Sequence, residues 1–168
     1  MAENQDAIAL LKEDHDKVEE LFKQYENASG DGRKEKLAKQ ICTELTVHAM
    51  IEEEIFYPAC EGKVEDELLK EAYVEHDAAK ILIAQIEQGE PSDEFYDAKV
   101  KVLQEEIEHH VEEEEKRMEG LFSQARKAGI DMDKLGEQLS SRKSELMLQA
   151  ESGSLPRPQL STMEGTAA

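Results

Sequence analysis

Apolar residues recur three and four positions apart along most of this 168-residue chain, the spacing that places side chains on one face of an α-helix. Segments rich in Gly, Pro, Ser and Asn interrupt this pattern and mark turns. The interruptions lie at 27–32, at 58–63, at 89–92 and at Gly129. The predicted helices span about 5–27, 33–57, 64–88 and 92–128, with a shorter fifth at about 131–149.

The short turns between these helices favour antiparallel neighbours. We therefore expect an all-α fold, an antiparallel up-down-up-down four-helix bundle with a short extra C-terminal helix, over residues 1–150. Gly120 is expected to bend or break the long fourth helix. Residues 151–168 are rich in Pro, Ser and Gly without a repeat, and this composition predicts a disordered C-terminal tail.

The chain is strongly acidic, with 36% charged residues and a formal net charge of -20. This charge argues against nucleic acid and against anionic membranes as partners, since both would repel it. The sequence has no apolar run long enough to span a bilayer and no basic, apolar leader at its N-terminus, so we expect a cytoplasmic location. The oligomeric state stays open between a monomer and a weak dimer.

Four of the five histidines lie in register with the apolar stripes, one on each long predicted helix. They are His15, His48, His76 and His110. In the second and fourth helices a glutamate follows the histidine by four residues, which puts Glu52 and Glu114 one turn further along the same face. Buried carboxylates are costly unless they are paired or bind a metal. Four imidazoles and two carboxylates that meet in the core therefore indicate a site for two metal ions.

His109, the fifth histidine, forms a rival pair with Glu113 at the same spacing. We assign the site to His110 because only His110 continues the stripe of Leu103 and Ile107. His109 is expected at the flank of its helix or at the surface. The other glutamates near the two motifs are expected to form solvated helix faces, and they are Glu53, Glu54, Glu112, Glu113 and Glu115.

The two halves of the chain resemble one another around these histidines. The segments HAMIEEEIFYP and HVEEEEKRMEG begin at His48 and His110, and they align Phe56 with Met118. Met118 is accordingly expected in the core. The repeat predicts two helical hairpins related by a pseudo-two-fold axis, each of which supplies the same kinds of ligand to a site on that axis.

The ordered motif H…HxxxE…H…HxxxE resembles that of the hemerythrin-like, or HHE cation-binding, family over about residues 5–128. The resemblance implies a four-helix bundle around a non-haem di-iron site. By match of position it makes the four in-register histidines terminal ligands, and it makes Glu52 and Glu114 bridges between two Fe ions, beside one oxo or hydroxo bridge. Imidazole and carboxylate ligands suit iron, with Mn and Zn as alternatives.

One position departs from the oxygen-carrying members of that family. They have a further histidine one turn before the third-helix ligand, whereas this chain has Ala72 and Tyr73 there. Tyr73 lies three residues before His76 on nearly the same face, so it is a candidate catalytic residue. It could ligate a metal as a phenolate, donate a hydrogen bond to a bound oxygen species, or only pack.

The resemblance and the ligand set favour a di-iron protein that binds and reacts with a small oxidant, O2, H2O2 or NO. If it is an enzyme, it is expected to be catalase-like or another di-iron oxidoreductase that removes peroxide. The alternative is a reversible O2 carrier, or a protein that responds to iron and oxygen without catalysis. A third hypothesis is a helical protein without metal. No nucleophile elbow, Gly-rich phosphate loop or basic groove supports a hydrolase.

Overall fold

The computed structural model describes residues 5–165, and over these residues it contains helices and turns but no strand. The helices are α1 (Ala7–Glu26), α2 (Asp31–Ile51), a π-helical segment (Glu52–Phe56), α3 (Tyr57–Cys60), α4 (Asp66–Gln88), α5 (Tyr96–Glu115), α6 (Leu121–Lys127) and α7 (Met132–Glu151). The predicted all-α fold is confirmed. None of these helices combines the length and the apolar character needed to cross a bilayer.

The bundle consists of the four long helices α1, α2, α4 and α5. Each packs against the next, and α5 returns to α1, which closes the ring. Short connections join α1 to α2 and α4 to α5, as antiparallel hairpins require. Helix α7 lies outside this ring, against α1, α2 and the π segment, and α6 packs against α5.

Two apolar clusters fill the bundle, and the in-register histidines of α1 and α4 lie between them. On α1 the division falls between Leu11 and Val18, and on α4 it falls between Ala72 and Ala79. The histidine of each helix lies inside this interval. A layer of polar side chains thus crosses a bundle that is apolar on either side, which keeps bulk water away from the layer.

The second helix does not continue as a regular α-helix to residue 57. After Ile51 the backbone widens into the π segment, in which the N–H of Tyr57 donates to the carbonyl of Glu52, five residues back. Pro58 follows inside α3 and has no N–H to donate, so the preceding turn is not held to the α pattern. The five-residue step brings Tyr57 onto the face that carries Glu52, and both side chains are fully buried.

The predicted fourth helix is two helices in the structure. Helix α5 ends at Glu115, and α6 begins after a turn over residues 116–120. The expected break near Gly120 is thereby confirmed. The turn requires glycine at this position, because a Cβ atom there would lie only 2.6 Å from the carbonyl oxygen of Lys116. The prediction that Met118 is a core residue is wrong: it lies in this turn, off any helix face, and is 71% exposed.

The chain after α7 has no helix over residues 152–165, and part of it packs on α4. The carboxylate of Asp77 accepts hydrogen bonds from three consecutive backbone N–H groups, those of residues 161–163. Nζ of Lys80 donates to the carbonyl of Gln159 at 2.7 Å. Burial opposes the ionisation of Asp77, but its hydrogen-bond donors outweigh burial and lower its pKa to about 2. The composition that predicts a disordered tail gives no sign of these contacts.

Candidate metal centre

The four in-register histidines meet in one buried layer with the two glutamates of the HxxxE motifs. All six residues are at most 7% exposed. Nε2 of His15 lies 3.2 Å from Nε2 of His48, and Nε2 of His76 lies 3.1 Å from Nε2 of His110. Each helical hairpin therefore supplies one histidine pair, as the internal repeat predicts.

The two glutamates lie between the two histidine pairs. Oε1 of Glu52 is 2.9 Å from Nε2 of His48 and 3.3 Å from Nε2 of His76. Oε1 of Glu114 makes the same kind of contact with the other histidine of each pair, at 3.3 Å and 3.2 Å. Two groups have ligand atoms close enough to hold a metal ion: His15, His48 and Glu114, and Glu52, His76 and His110. Each glutamate thus reaches both pairs, the position that a bridging carboxylate requires.

The outward nitrogen of each of these histidines contacts a carboxylate. The Nδ1 contacts are His15 with Glu115 at 3.2 Å, His48 with Asp14 at 2.9 Å, His76 with Glu53 at 3.2 Å and His110 with Glu75 at 3.1 Å. A carboxylate at Nδ1 keeps a proton on that nitrogen, so Nε2 is the nitrogen that faces the centre and can bind a metal once it is unprotonated. The prediction that Glu53 and Glu115 only form a solvated face is wrong, because each orients a histidine.

Three carboxylate oxygens in this layer have no hydrogen-bond partner among the described residues, and they are Oε1 and Oε2 of Glu52 and Oε1 of Glu114. Both Oε1 atoms lie 2.9–3.3 Å from imidazole nitrogens, which is ion-pair distance, but without the angles of a hydrogen bond. Buried carboxylate oxygens left without partners are costly. Imidazole and carboxylate together form a donor set for divalent transition metals. The residues present therefore fit two metal ions.

The comparison with known protein families agrees with this geometry. Residues 6–122 match the hemerythrin HHE cation binding domain, a span that contains all six central residues. The chain belongs to the hemerythrin HHE cation-binding domain family. The match ends inside α6, so α7 and the tail lie outside the matched part of the HHE domain.

Two similar proteins accompany the family match. The crystal structure of a hemerythrin HHE cation binding domain-containing protein from Mycobacterium kansasii has a TM-score of 0.72, covers 89% of this chain and 94% of its own, and is 20% identical. That similarity supports the fold of this HHE domain. A DNA nickase from Nostoc sp. is 30% identical over 106 residues, which is 63% of this chain. The chain spans only 30% of the nickase.

The carboxylates around the HHE centre raise the pKa of three histidines, His15, His48 and His110. Burial disfavours the protonated ring of His48, but Glu52 and Asp14 outweigh burial and raise the pKa of His48 to about 10. The same balance raises the pKa of His15, and it raises that of His110 well above its ordinary value. In the metal-free protein the imidazole of His48 therefore holds its second proton at neutral pH.

Metal binding to the HHE centre is expected to release protons. A metal needs the unprotonated Nε2 of His48, whose raised pKa of about 10 keeps it protonated at pH 7. At least one proton should leave per chain at that pH, and metal affinity should rise with pH up to about 10. Calorimetric titration with Zn²⁺, a redox-inactive probe, in two buffers of different ionisation enthalpy counts the protons. A titration heat that does not depend on the buffer would contradict this account.

The phenol that reaches the HHE centre belongs to Tyr57. Its hydroxyl donates to Oε2 of Glu114 at 2.9 Å and lies 3.2 Å and 3.3 Å from Nε2 of His76 and His110. Burial and the Glu114 carboxylate raise the pKa of Tyr57 well above its ordinary value, so the hydroxyl keeps its proton. Tyr73, the candidate from the sequence, packs edge to face on the Tyr57 ring with centroids 5.1 Å apart. The hydroxyl that reaches the centre is therefore that of Tyr57, and Tyr73, the residue predicted from the sequence, packs behind it.

His109 lies at the rim of the HHE centre. Its side chain is 64% exposed, and its Nε2 lies 3.3 Å from Oε2 of Glu75. The other oxygen of the same carboxylate contacts Nδ1 of His110 at 3.1 Å. The structure therefore places His110 among the six central residues and His109 outside them, in agreement with the register argument.

A cavity of about 270 Å³ lies against the HHE centre, and all four central histidines line it. The apolar side chains of Val18, Leu45 and Ile107 line it as well. Phe22, one turn after Val18 on α1, is buried in the adjacent apolar cluster and does not reach the cavity. The centre therefore has an apolar space directly beside its ligand atoms.

Proposed function

We propose that this HHE domain holds two iron ions and binds and reacts with a small oxidant, O2, H2O2 or NO. The observation that carries the proposal is that each of the two glutamates lies within 3.3 Å of a histidine from both pairs. A carboxylate in that position can bridge two ions, which favours a dinuclear site over two separate ones. The proposed ligands are His15, His48, Glu52, His76, His110 and Glu114.

Iron is the metal that best suits this donor set and this chemistry. Neutral imidazoles with carboxylates bind iron, and the centre has no thiolate that would favour zinc or copper(I): Cys42 and Cys60 are absent from both ligand groups. When bound, the two irons supply electrons and coordination positions that the protein leaves open to a small oxidant. With both glutamates shared, each ion would have two histidines and two carboxylates as protein ligands, which supports such open positions.

The chain itself orients the imidazole ligands, holds a proton beside the centre and excludes water from it. The four outer carboxylates fix the imidazole rings through Nδ1. The Tyr57 hydroxyl holds a proton against Glu114 and can donate it to an oxygen atom that arrives beside that carboxylate. The apolar side chains of the cavity limit the access of water to the centre.

The name of the Nostoc relative offers a second function, the nicking of DNA. The match covers only 30% of that protein, so the activity in its name can reside outside the matched part. A chain with a formal net charge of -20 is also repelled by the phosphate backbone. Oxidant chemistry is therefore the better-supported function for this HHE domain.

The cysteines bear on the cellular location. Cys42 and Cys60 are both buried and both free thiols. Burial raises the pKa of the Cys60 thiol to about 12, which makes it a poor nucleophile. Unreactive, unpaired thiols fit a reducing compartment, and this supports a cytoplasmic location for the proposed activity.

Peroxide consumption is the direct test of the proposed function. The iron-loaded protein should evolve O2 from H2O2 faster than an equal concentration of free iron. A His48→Ala variant should lose at least 90% of the activity, roughly tenfold or more, because it loses a ligand. A His109→Ala variant removes an exposed histidine and should keep the wild-type rate.

The outcomes of this assay separate the hypotheses. Equal rates for wild type, His48→Ala and free iron would rule out peroxide consumption by the centre. A spectrally distinct form that releases O2 reversibly, without consuming peroxide, would instead support the carrier. A loss of rate in His109→Ala as large as that in His48→Ala would contradict the ligand assignment.

A further inference from the structure

The cavity beside the metal centre is larger than a two-atom oxidant needs. Its volume is about 270 Å³. An engineered apolar cavity of roughly 150 Å³ is enough to hold benzene, so this one can hold an organic molecule of roughly ten non-hydrogen atoms. Its walls between the histidines and the tail are largely aliphatic, with Val18, Leu45, Ala79, Ile83, Ile107 and Val111. Their surface suits a hydrocarbon group better than water or H2O2.

One wall residue has an unused polar group. Thr46 lines the cavity and is 4% exposed. Its hydroxyl oxygen has no hydrogen-bond partner among the described residues. A threonine inside a helix can bond back to the carbonyl four residues earlier, and this one does not. A buried hydroxyl without a partner is unfavourable, so a ligand that brings an oxygen atom into the cavity would gain a hydrogen bond.

The charged groups at the cavity largely offset one another. Three carboxylates and two cations line it, and they are Asp14, Glu53, Glu54, Lys80 and Arg157. Nζ of Lys80 is already bound to Glu53 and to the tail carbonyl of Gln159. Because most of the remaining lining is aliphatic, an ionic ligand would lose hydration there, and an uncharged ligand is favoured.

The tail completes the cavity on the side away from the helices. Pro156, Pro158 and Gln159 line it, and the hydrogen bonds of residues 161–163 to Asp77 hold them in place. Two prolines present ring carbons and no N–H to the space. The tail therefore extends the apolar surface and gives the cavity a fixed depth.

We infer that this cavity binds an uncharged organic hydroperoxide, ROOH, with a hydrocarbon part of roughly ten non-hydrogen atoms. The inference rests on the proposed function and names its substrate class. The hydrocarbon occupies the aliphatic walls, Thr46 donates to a peroxide oxygen, and the peroxide end lies among the four histidines. In the reaction ROOH takes up two electrons and two protons, its O–O bond breaks, and the products are ROH and water. The two ferrous ions of the proposed centre would supply these electrons and become ferric.

Binding is tested without turnover by the inert product analogue 2-phenyl-2-propanol. Isothermal titration calorimetry of the full-length protein as isolated should give one site with a Kd on the order of 1 mM or tighter. An Ile83→Trp variant fills the cavity and should weaken binding at least tenfold. The matched control is Ile81→Trp on the same helix, because Ile81 is 38% exposed and outside the cavity lining. A Thr46→Val variant keeps the shape, loses the hydroxyl, and should weaken binding several-fold.

Two results would overturn the inference: no saturable binding of the alcohol up to 10-fold above the expected Kd, or equal weakening by the two tryptophan variants. If Ile83→Trp does not fold, the location of the alcohol in a soaked crystal of wild type decides, and density outside the cavity overturns the inference. The test is independent of the oxidant assay. Peroxide consumption without alcohol binding would refute only the cavity assignment, whereas alcohol binding without peroxide consumption would refute the proposed reaction.

Discussion

Loading the protein with ferrous iron is expected to raise the midpoint of its thermal unfolding by roughly 10 °C. The reason is that three buried carboxylate oxygens without hydrogen-bond partners gain a cation only in the folded state. A ligand present at a thousand times its Kd stabilises by about 4 kcal/mol. In a chain of this size each kcal/mol moves the midpoint by about 2–4 °C. Calorimetry or circular dichroism under argon, with and without iron, measures the shift.

A Glu52→Gln variant should lose most of this iron-dependent shift. The amide keeps the shape of the side chain but removes the charge that reaches both histidine pairs. The matched control is Glu112→Gln, which makes the same change at an exposed position two residues before Glu114 and should retain the full shift. An unchanged midpoint in the wild type, or a full shift in Glu52→Gln, would be incompatible with a buried centre bridged by Glu52.

Replacement of Tyr57 by Phe is expected to slow oxidant consumption by roughly 100-fold, the usual lower range for the loss of a positioned proton donor. The hydroxyl of Tyr57 is 2.9 Å from Oε2 of Glu114 and remains protonated because burial and that carboxylate raise its pKa. Initial rates should be compared at equal iron content, so that weaker metal binding is not mistaken for slower chemistry.

The neighbouring tyrosine provides the control for this prediction. Tyr73→Phe makes the same chemical change on the ring that packs against Tyr57, and it should alter the rate by less than about threefold because the packing of the ring is retained. Because the Tyr57 hydroxyl stays protonated against Glu114, the iron form should show no visible phenolate charge-transfer band. A band that persists in Tyr57→Phe and disappears in Tyr73→Phe would restore Tyr73 as the residue at the centre.

The inner residues of the centre could be predicted because each follows the helical period. Spacings of three and four residues carry each central histidine into its apolar stripe, and the HxxxE step places Glu52 and Glu114 one turn away. The same argument separates His110 from His109. Helical periodicity determines which face of a helix a residue lies on, and for these six residues the face alone was enough to predict that they meet in the core.

The outer carboxylates were missed because they pair between helices. Asp14 stands beside His15 in the sequence but contacts His48, and Glu75 stands beside His76 but contacts His110. A signal was nevertheless present. An acidic residue directly precedes each lone histidine, and another directly follows each ligand glutamate, as in Glu52–Glu53 and Glu114–Glu115. The internal repeat thus extends to the residues that orient the rings.

Tyr57 and the tail could not be found from periodicity. Tyr57 reaches the centre through a π turn, whose five-residue step breaks the spacing that sequence analysis relies on, and the only local sign is the following Pro58. The tail is held by backbone N–H groups that bind Asp77. Almost any residue can supply such donors, so a segment rich in Pro and Ser carries no sequence signal for this contact.

The iron content of protein produced in iron-supplied cells tests the central claim most directly. Elemental analysis on purified protein should give two iron ions per chain, one for each group of three ligands. A Glu52→Gln variant, which removes the carboxylate shared by both pairs, should retain fewer than two. Folded protein that contains no metal, or a single zinc ion, would contradict the account.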